Sequence, residues 1–360
     1  MELIEYQMFL DEVWKISVIA YWVVFGFGII GNILVLSVIL IFSKMKTVTN
    51  IYIFNLALVD ILSLSTIPIF VRNQWTFGPT ICKVYTTAMT IFDFSGSFLV
   101  AALSADRYLA ICRPHTANAC RTKAGATLVN ILVWVMSAVF AMPLFVFADT
   151  KHNKEGGTTC KVYWPDVDII NGTKVQFIYL FTFGFLIPFA FIVTFYFLIL
   201  CKIRNLDSPK SRTRRRRVTF LVLTLITVFM ICWLPYWVNH IILAFVDAPI
   251  SLPIAIFSLV AAWLSFTNSA INPLIYGFTN KNFQDHFLKL FKCGEECKDQ
   301  PLNRTQSAGF SYYGSGKTEP SHSFVFKPVS DLEPNEPSVV TQISELDLPK
   351  DFEGKSFENK

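Results

Sequence analysis

The sequence predicts an all-α membrane protein, in which a bundle of seven transmembrane helices is followed by an amphipathic inner-surface helix and a disordered C-terminal tail. The 360 residues are 53% hydrophobic and only 16% charged, which is more apolar surface than a soluble chain of this length usually buries. Seven apolar stretches approach the roughly 20 residues that cross a bilayer. Lys and Arg are concentrated in alternate short loops, as expected when only those loops face the cytoplasm.

The seven apolar stretches are bounded by charged residues, Gly or Pro. Asp60 lies in the second stretch, and Asp93 and Asp106 lie in the third. Because an acid is costly against lipid, these helices are expected to turn their polar sides toward one another and form a bundle. The predicted spans are 17–42, 50–72, 82–112, 126–148, 175–201, 218–246 and 254–278.

Loop charge predicts the orientation of the bundle. Arg113, Arg121 and the run Arg214–Arg217 fall on one side, which we expect to be cytoplasmic, so the N-terminus is expected outside. The arginine run beside the membrane is explained by orientation and lipid headgroups, and no nucleic-acid partner is expected. The predicted organisation is an extracellular segment (1–16), a transmembrane domain (17–279), a juxtamembrane helix (280–297) and a cytoplasmic tail (298–360).

Three positions are candidates for covalent modification. Cys293 and Cys297 directly follow the amphipathic stretch and are palmitoylation candidates, although unmodified thiols are the alternative. Asn171 begins an Asn-Gly-Thr glycosylation motif in a predicted outer loop. The tail, rich in Ser, Thr, Pro, Glu and Lys, is expected to be disordered and phosphorylated.

A series of short motifs occurs in a specific order along the spans. The series comprises Gly31-Asn32, Asn55 through Asp60, Asp106-Arg107-Tyr108, Trp134, Pro188 with Tyr196, Cys232 through Pro235, and Asn272 through Tyr276. Over roughly residues 18 to 292 it resembles the rhodopsin-like G-protein-coupled receptors. Three stretches are similar to peptide receptors of the somatostatin, opioid and allatostatin-C type: Trp75–Gly78, Ile231–Pro235 and Asn268–Phe278. Neuropeptide Y-like, galanin-like and RFamide-like receptors share much of the same sequence in these stretches.

The resemblance implies a signalling mechanism and its partners. An outward swing of the sixth helix frees Arg107 from Asp106 to contact a heterotrimeric G protein, expected to be of the Gi/o group, and the tail recruits arrestin and receptor kinases. The structural alternative is that Arg107 has no signalling role and only extends its side chain from the helix end to the membrane surface. The switch and coupling residues carried over by the resemblance are Asp106, Arg107, Tyr108, Tyr196, Phe229, Trp233, Pro235, Asn272, Pro273 and Tyr276.

Cys82 and Cys160 are the two cysteines of eight that are predicted to lie outside. An oxidising exterior favours their pairing, and the resemblance implies the same disulfide. The loop that contains Cys160 also has a plausible strand, Thr158–Tyr163, preceded by Gly156-Gly157 as a turn, so a hairpin is expected over the entrance of the bundle.

The sequence departs from the resemblance at three places. Arg214–Arg217 replace the acid that restrains the third-span arginine in many relatives. Gly96 replaces a serine beside a sodium pocket, for which Asp60, Asn268, Ser269 and Asn272 are the ion-site candidates; the alternative for Asp60 is a water-bonded structural carboxylate. Met89 replaces the usual ligand-anchoring aspartate.

Asp93, one turn deeper than Met89, is the substitute candidate for anchoring a cationic ligand group. The alternatives are a carboxyl bonded to waters shared with Asp60, or a proton or sodium site. The ligand-binding candidates are Met89, Asp93, Trp233, Asn239 and His240.

The predicted function is that of a plasma-membrane receptor for an extracellular neuropeptide, with no cofactor and no enzyme activity. A lipid or other small-molecule ligand is the alternative, and a transporter or channel is a remote one because the spans show no internal symmetry.

Overall fold

A computed structural model of the protein describes residues 2–72, 74–113, 121–152, 157–167, 170–204, 209–246, 251–279 and 281–296. Within these residues, seven helical segments are long and apolar enough to cross a membrane. The segments are Glu12–Ile41, Val48–Phe70, Gly78–Cys112, Lys123–Phe147, Gly172–Ile203, Ile226–Phe245 and Leu252–Phe278. The predicted seven-span bundle is therefore confirmed.

The first four spans are formed by α1 (Glu2–Ile41), α2 (Val48–Leu64) with the short α3 (Ile67–Phe70), α4 (Gly78–Cys112) and α5 (Lys123–Phe147). The fifth span combines α6 (Gly172–Phe181), a π-helical turn (Thr182–Leu186) and α7 (Ile187–Arg204). The last elements are α8 (Pro209–Phe245), α9 (Leu252–Thr279) and α10 (Lys281–Glu296).

The first helix begins earlier than the sequence predicted. The predicted first membrane span begins at residue 17, whereas the helix that contains it, α1, starts at Glu2. No Gly or Pro occurs before Gly26, so nothing in the backbone chemistry stops the helix near residue 17. Hydropathy detects the apolar part of a helix, and this helix extends beyond that part.

The bundle keeps apolar side chains outward and polar side chains inward. Phe27 and Ile30 are 70% and 64% exposed, as expected where lipid is the surrounding solvent. Inside, the Asn32 amide donates to the carbonyl of Ser269 at 3.0 Å, and the Trp134 indole donates to the Asn55 side chain at 3.3 Å. These hydrogen bonds connect spans one with seven and two with four.

A β-hairpin covers one end of the bundle. Strands β1 (Ala148–His152) and β2 (Thr158–Val162) pair antiparallel, and a Cys82–Cys160 disulfide ties β2 to the start of α4. The Trp75 backbone N–H donates to the Thr158 carbonyl at 2.9 Å. The predicted hairpin and disulfide are both present, and this end of the bundle is called the hairpin end below.

The opposite end, which contains Arg107, is called the arginine end. There α10 packs back on the bundle: Phe283 is fully buried and its ring stacks on that of Tyr276 with centroids 5.6 Å apart. The ring of His286 meets that of Phe42 at 4.6 Å. The amphipathic helix predicted after the seventh span therefore anchors to α1 and α9 through its aromatic face.

Candidate functional site

A cavity of about 620 Å³ opens at the hairpin end, between α4, α6, α8 and the hairpin. Met89, Asp93 and His240, three of the residues singled out from the sequence, all line it. Tyr236 and Trp237 complete the deep part of its wall. The volume lies in the range of ordinary ligand sites.

Asp93 is the acidic side chain among the residues that line this cavity. Within the described part of the chain, no Lys, Arg or His lies within ion-pair distance of its carboxylate. Aromatic side chains share this wall: the rings of Tyr236 and His240 lie 4.2 Å apart. The Trp233 ring, which lines the smaller cavity described below and not this one, lies 5.5 Å from that of Tyr236. A carboxylate facing aromatic rings is a favourable environment for a ligand cation.

Among the ligand-binding candidates, Met89 has a second set of contacts and Asn239 lies away from the cavity. Met89 contacts the cavity and also packs on the aromatic cluster formed with Trp263 and Phe266. Asn239 does not line the cavity: it is 4% exposed, and its side-chain oxygen accepts a hydrogen bond from Ser258 at 2.7 Å. Asn239 therefore connects α8 to α9, whereas its neighbour His240 lies on the face of α8 that lines the cavity.

A smaller cavity, of about 20 Å³, lies deeper in the bundle. Asp60, Asp93, Asn268 and Ser269 line it together, and the Asn272 amide donates to the Asp60 carboxylate at 2.9 Å. This space holds about one water molecule. Three residues of the predicted ion site, Asp60, Asn268 and Ser269, therefore line one small space together with Asp93. Asn272 does not line it and bonds to Asp60 instead.

Gly96 leaves room beside this ion site. A Cβ added to it would have ordinary contact with Val59 Cγ1, at 3.8 Å. The oxygen that a serine would supply is therefore missing from this position. Oxygen donors of the kind that a hard cation prefers are nevertheless present in Asp60, Asn268 and Ser269.

An aromatic row runs along α8 below the large cavity. The Trp233 and Phe229 rings are 6.0 Å apart, and Phe229 stacks on Phe185 of the π-helical turn at 6.2 Å. Pro235 lies inside α8 next to Trp233 and removes one backbone hydrogen bond there. Pro273 has the same effect in α9.

The carboxylate of Asp106 organises the arginine end. Its side chain is 2% exposed and forms ion pairs with Arg107 at 2.5 Å and with Arg121 at 2.6 Å. It also accepts a hydrogen bond from the Thr49 hydroxyl at 3.0 Å, and Arg121 donates to the same hydroxyl oxygen at 3.2 Å. The pairing of Arg107 with Asp106 expected from the sequence is present, and it belongs to a larger network.

The three tyrosines carried over by the resemblance form no hydrogen bond with this network among the described residues. Tyr108 packs on Phe195 with ring centroids 5.5 Å apart. The hydroxyls of Tyr196 and Tyr276 are buried and have no hydrogen-bond partner within the described residues. Both hydroxyls therefore have unused hydrogen-bonding capacity among the described residues.

Sequence reasoning missed Arg121 and Thr49 as partners of Asp106. Arg121 entered only as one of several inner-loop cations, and Thr49 carried no signal. The distance between them in sequence explains this, because Thr49, Asp106 and Arg121 lie on three different segments. Because Arg107 already gave Asp106 an expected partner, the sequence offered no signal for a second cation.

The modification candidates differ in how far the structure describes them. Asn171 is exposed, and its side-chain oxygen caps α6 by accepting from the Lys174 N–H at 3.0 Å. Its side-chain nitrogen forms no hydrogen bond among the residues that the structure describes. The side chains of Cys293 and Arg214–Arg217 lie outside the described part, as do Cys297 and the tail.

The sequence matches the family model described as 7 transmembrane receptor (rhodopsin family) over residues 31–276. The chain belongs to this family. It is thus a signalling receptor and not an enzyme.

Somatostatin receptors are similar to this receptor over most of their length. Bovine (Bos taurus) somatostatin receptor type 5 is 39% identical over 283 residues, 76% of this chain and 75% of the relative. Somatostatin receptor type 4 from Rattus norvegicus is 34% identical over 298 residues, 80% and 75% of the two chains. Type 2 from Mus musculus is 34% identical over 278 residues, 74% of each. The receptor is accordingly a multi-pass plasma-membrane protein of the somatostatin-receptor branch.

The network around Asp106 predicts the effect of removing Arg121. Arg121→Gln leaves a buried carboxylate with one cation fewer, which costs about 1.5–3 kcal/mol. Each kcal/mol corresponds to roughly 2–4 °C, so the midpoint of thermal inactivation of the detergent-purified receptor is expected to fall by several degrees. Arg113→Gln is the matched control, because Arg113 is exposed at the end of α4 and forms no ion pair within the described residues. An Arg121→Gln midpoint equal to that of the control contradicts the role of Arg121.

Proposed function

We propose that the receptor binds an extracellular peptide in the cavity at its hairpin end and activates a heterotrimeric G protein of the Gi/o group at its arginine end. In this proposal the N-terminus and the hairpin face outward, and the C-terminus faces the cytoplasm. The observation that carries it is the large cavity with an ion-unpaired carboxylate, Asp93, at its floor. The names of the relatives, which are somatostatin receptors, support a peptide ligand.

The depth of the cavity suits a peptide better than a compact small molecule. Asp93 lies eleven residues along α4 from Cys82, which is roughly 16 Å of helix. Cys82 is bonded to Cys160 of β2, and residues from both depths line the same cavity. An extended segment of about five residues covers that depth.

Asp93 is proposed to anchor a basic group of this peptide. The carboxylate has no cation of its own among the described residues, and a bare charge at that depth is costly. A Lys, Arg or terminal amine of the ligand supplies the missing partner, with the rings of Tyr236 and Trp233 beside it. Met89, which stands where related receptors have an acid, contributes apolar contact instead.

Signal transfer is proposed to run along α8 to the arginine end. A ligand that reaches Trp233 displaces the aromatic row next to the proline kink at Pro235, and the inner half of α8 swings outward. Arg107 then leaves Asp106 for the G protein, while Arg121 continues to neutralise that carboxylate. The buried hydroxyls of Tyr196 and Tyr276 offer hydrogen bonds to the open state.

Further partners follow the family pattern. Arrestin and receptor kinases are proposed to act on the tail, and palmitoyl groups on Cys293 and Cys297 to hold it at the membrane. A glycan on Asn171 and a sodium ion beside Asp60 are proposed on the exposed amide and on the oxygen set described above.

The G-protein assignment predicts the direction of the second-messenger response. Cells expressing the receptor are screened with a peptide library, with cyclic AMP as the readout after forskolin. Active peptides are expected to lower cyclic AMP, and pertussis toxin is expected to abolish the effect. A rise in cyclic AMP, or an inhibition that survives the toxin, overturns the Gi/o assignment; a screen without any active peptide counts against a peptide ligand.

The anchoring role of Asp93 predicts a selective loss of potency. Asp93→Asn preserves shape while removing charge, so the potency of an active peptide with a basic residue is expected to fall at least about tenfold, which corresponds to 1.4 kcal/mol. The same peptide with that residue replaced by Gln is expected to lose nothing further. Asp166→Asn is the matched control, because Asp166 is exposed and does not line the cavity. Unchanged potency in Asp93→Asn at equal surface expression excludes anchoring.

A further inference from the structure

Two cations line the outer part of the cavity whose floor is Asp93. Arg72 follows α3, and Lys161 lies in β2 beside the disulfide. Both side chains are exposed, and neither takes part in an ion pair within the described residues. The cavity therefore has a negative floor and a positive mouth.

Both cations are held on segments of fixed position. The Arg72 guanidinium stacks on the Phe77 ring at 5.2 Å, and the Trp75 N–H donates to the Thr158 carbonyl at 2.9 Å, which joins the Arg72 segment to β2. The Cys82–Cys160 disulfide fixes the neighbour of Lys161. The separation between the mouth and the floor is thus built into the fold.

The other Lys, Arg, Asp and Glu side chains described near the hairpin do not line this cavity. Lys83 donates to the carbonyls of Phe145 and Val146 at 3.3 and 3.1 Å, and Lys151 lies 3.8 Å from the centre of the Tyr163 ring. The acids are engaged locally, because Asp149 accepts from the Thr150 N–H at 2.8 Å and Asp166 accepts from the Gly172 N–H at 2.6 Å. Arg72 and Lys161 are left to face the cavity.

We infer that the receptor selects a peptide of defined electrical polarity, with a basic group at Asp93 and an acidic group between Arg72 and Lys161. This inference rests on the proposed function. The roughly 16 Å between the two levels sets the basic and acidic groups about five residues apart in an extended segment. The acid is a carboxylate, either of an Asp or Glu side chain or of a free C-terminus.

Polarity also excludes the reversed peptide. A peptide entering with its carboxylate first brings that group against Asp93 in a cavity walled by aromatic rings, and brings its cation against Arg72 and Lys161. Both ends then meet like charges, which is a repulsive selection against the wrong ligand. The mouth thereby selects the orientation of entry as well as composition.

The probe for this inference is a synthetic peptide library. Each peptide carries one Lys, and either Glu or Gln three to seven residues away on either side, with each peptide made as a free acid and as a C-terminal amide. Signalling by the wild-type receptor is compared with that of the variant Arg72→Glu/Lys161→Glu. Lys151→Glu is the matched control, since Lys151 is exposed on the same hairpin but does not line the cavity.

On the wild-type receptor, peptides with Glu near the five-residue spacing are expected to be at least threefold more potent than their Gln partners. A threefold difference corresponds to about 0.7 kcal/mol, which is the size of the contribution of exposed ion pairs. The preference is expected to vanish in Arg72→Glu/Lys161→Glu and to persist in Lys151→Glu. If only the free-acid and amide forms differ, the acid is the C-terminal carboxylate. If active peptides are found but Glu, Gln, acid and amide forms are equipotent, the polarity inference is wrong while the peptide receptor stands; if no peptide is active, the proposed function itself fails.

Discussion

The burial of Asp106 is the constraint on which the arginine end depends. A carboxylate that is 2% exposed at the edge of a bundle in lipid requires cations and hydrogen-bond donors from the protein itself. Arg107 supplies one cation from the same helix, while Arg121 and Thr49 bring the starts of α5 and α2 to the same point. The network therefore joins the third span to the starts of the second and fourth spans and pairs Arg107 with Asp106.

The same helix, α4, has a second acid, Asp93, and the two acids have different surroundings. Asp106 has its cations within the chain, whereas Asp93 has none among the described residues and opens on the large cavity. Between them lies the Asp60 cavity, which Asp93 also lines. A charge arriving at Asp93 thus changes the electrostatics of the bundle centre, next to the aromatic row of Trp233 and Phe229 that leads along α8. In the proposed function, this polar interior links ligand chemistry to the arginine end.

Much of this arrangement could be predicted from residues alone. Apolar length predicted the seven spans, and helical spacing from Arg107 placed Met89 and Asp93 on the cavity face. Contacts between loop ends could not be predicted, because Arg121 meets Asp106, and Arg72 and Lys161 line one cavity, only once distant segments have packed. Asn239 shows the related limit: adjacent helical residues point about 100° apart, so His240 lines the cavity while Asn239 turns to Ser258.

We propose that the cavity at the hairpin end and the network at the arginine end are energetically coupled. The most direct measurement is the affinity of a labelled active peptide for the purified receptor in lipid nanodiscs, with and without nucleotide-free G protein. Coupling between two sites amounts to about 1–3 kcal/mol, or roughly 5- to 150-fold. The peptide is expected to bind at least fivefold more tightly when the G protein is present. Equal affinities in the two conditions would contradict the coupling of the two ends.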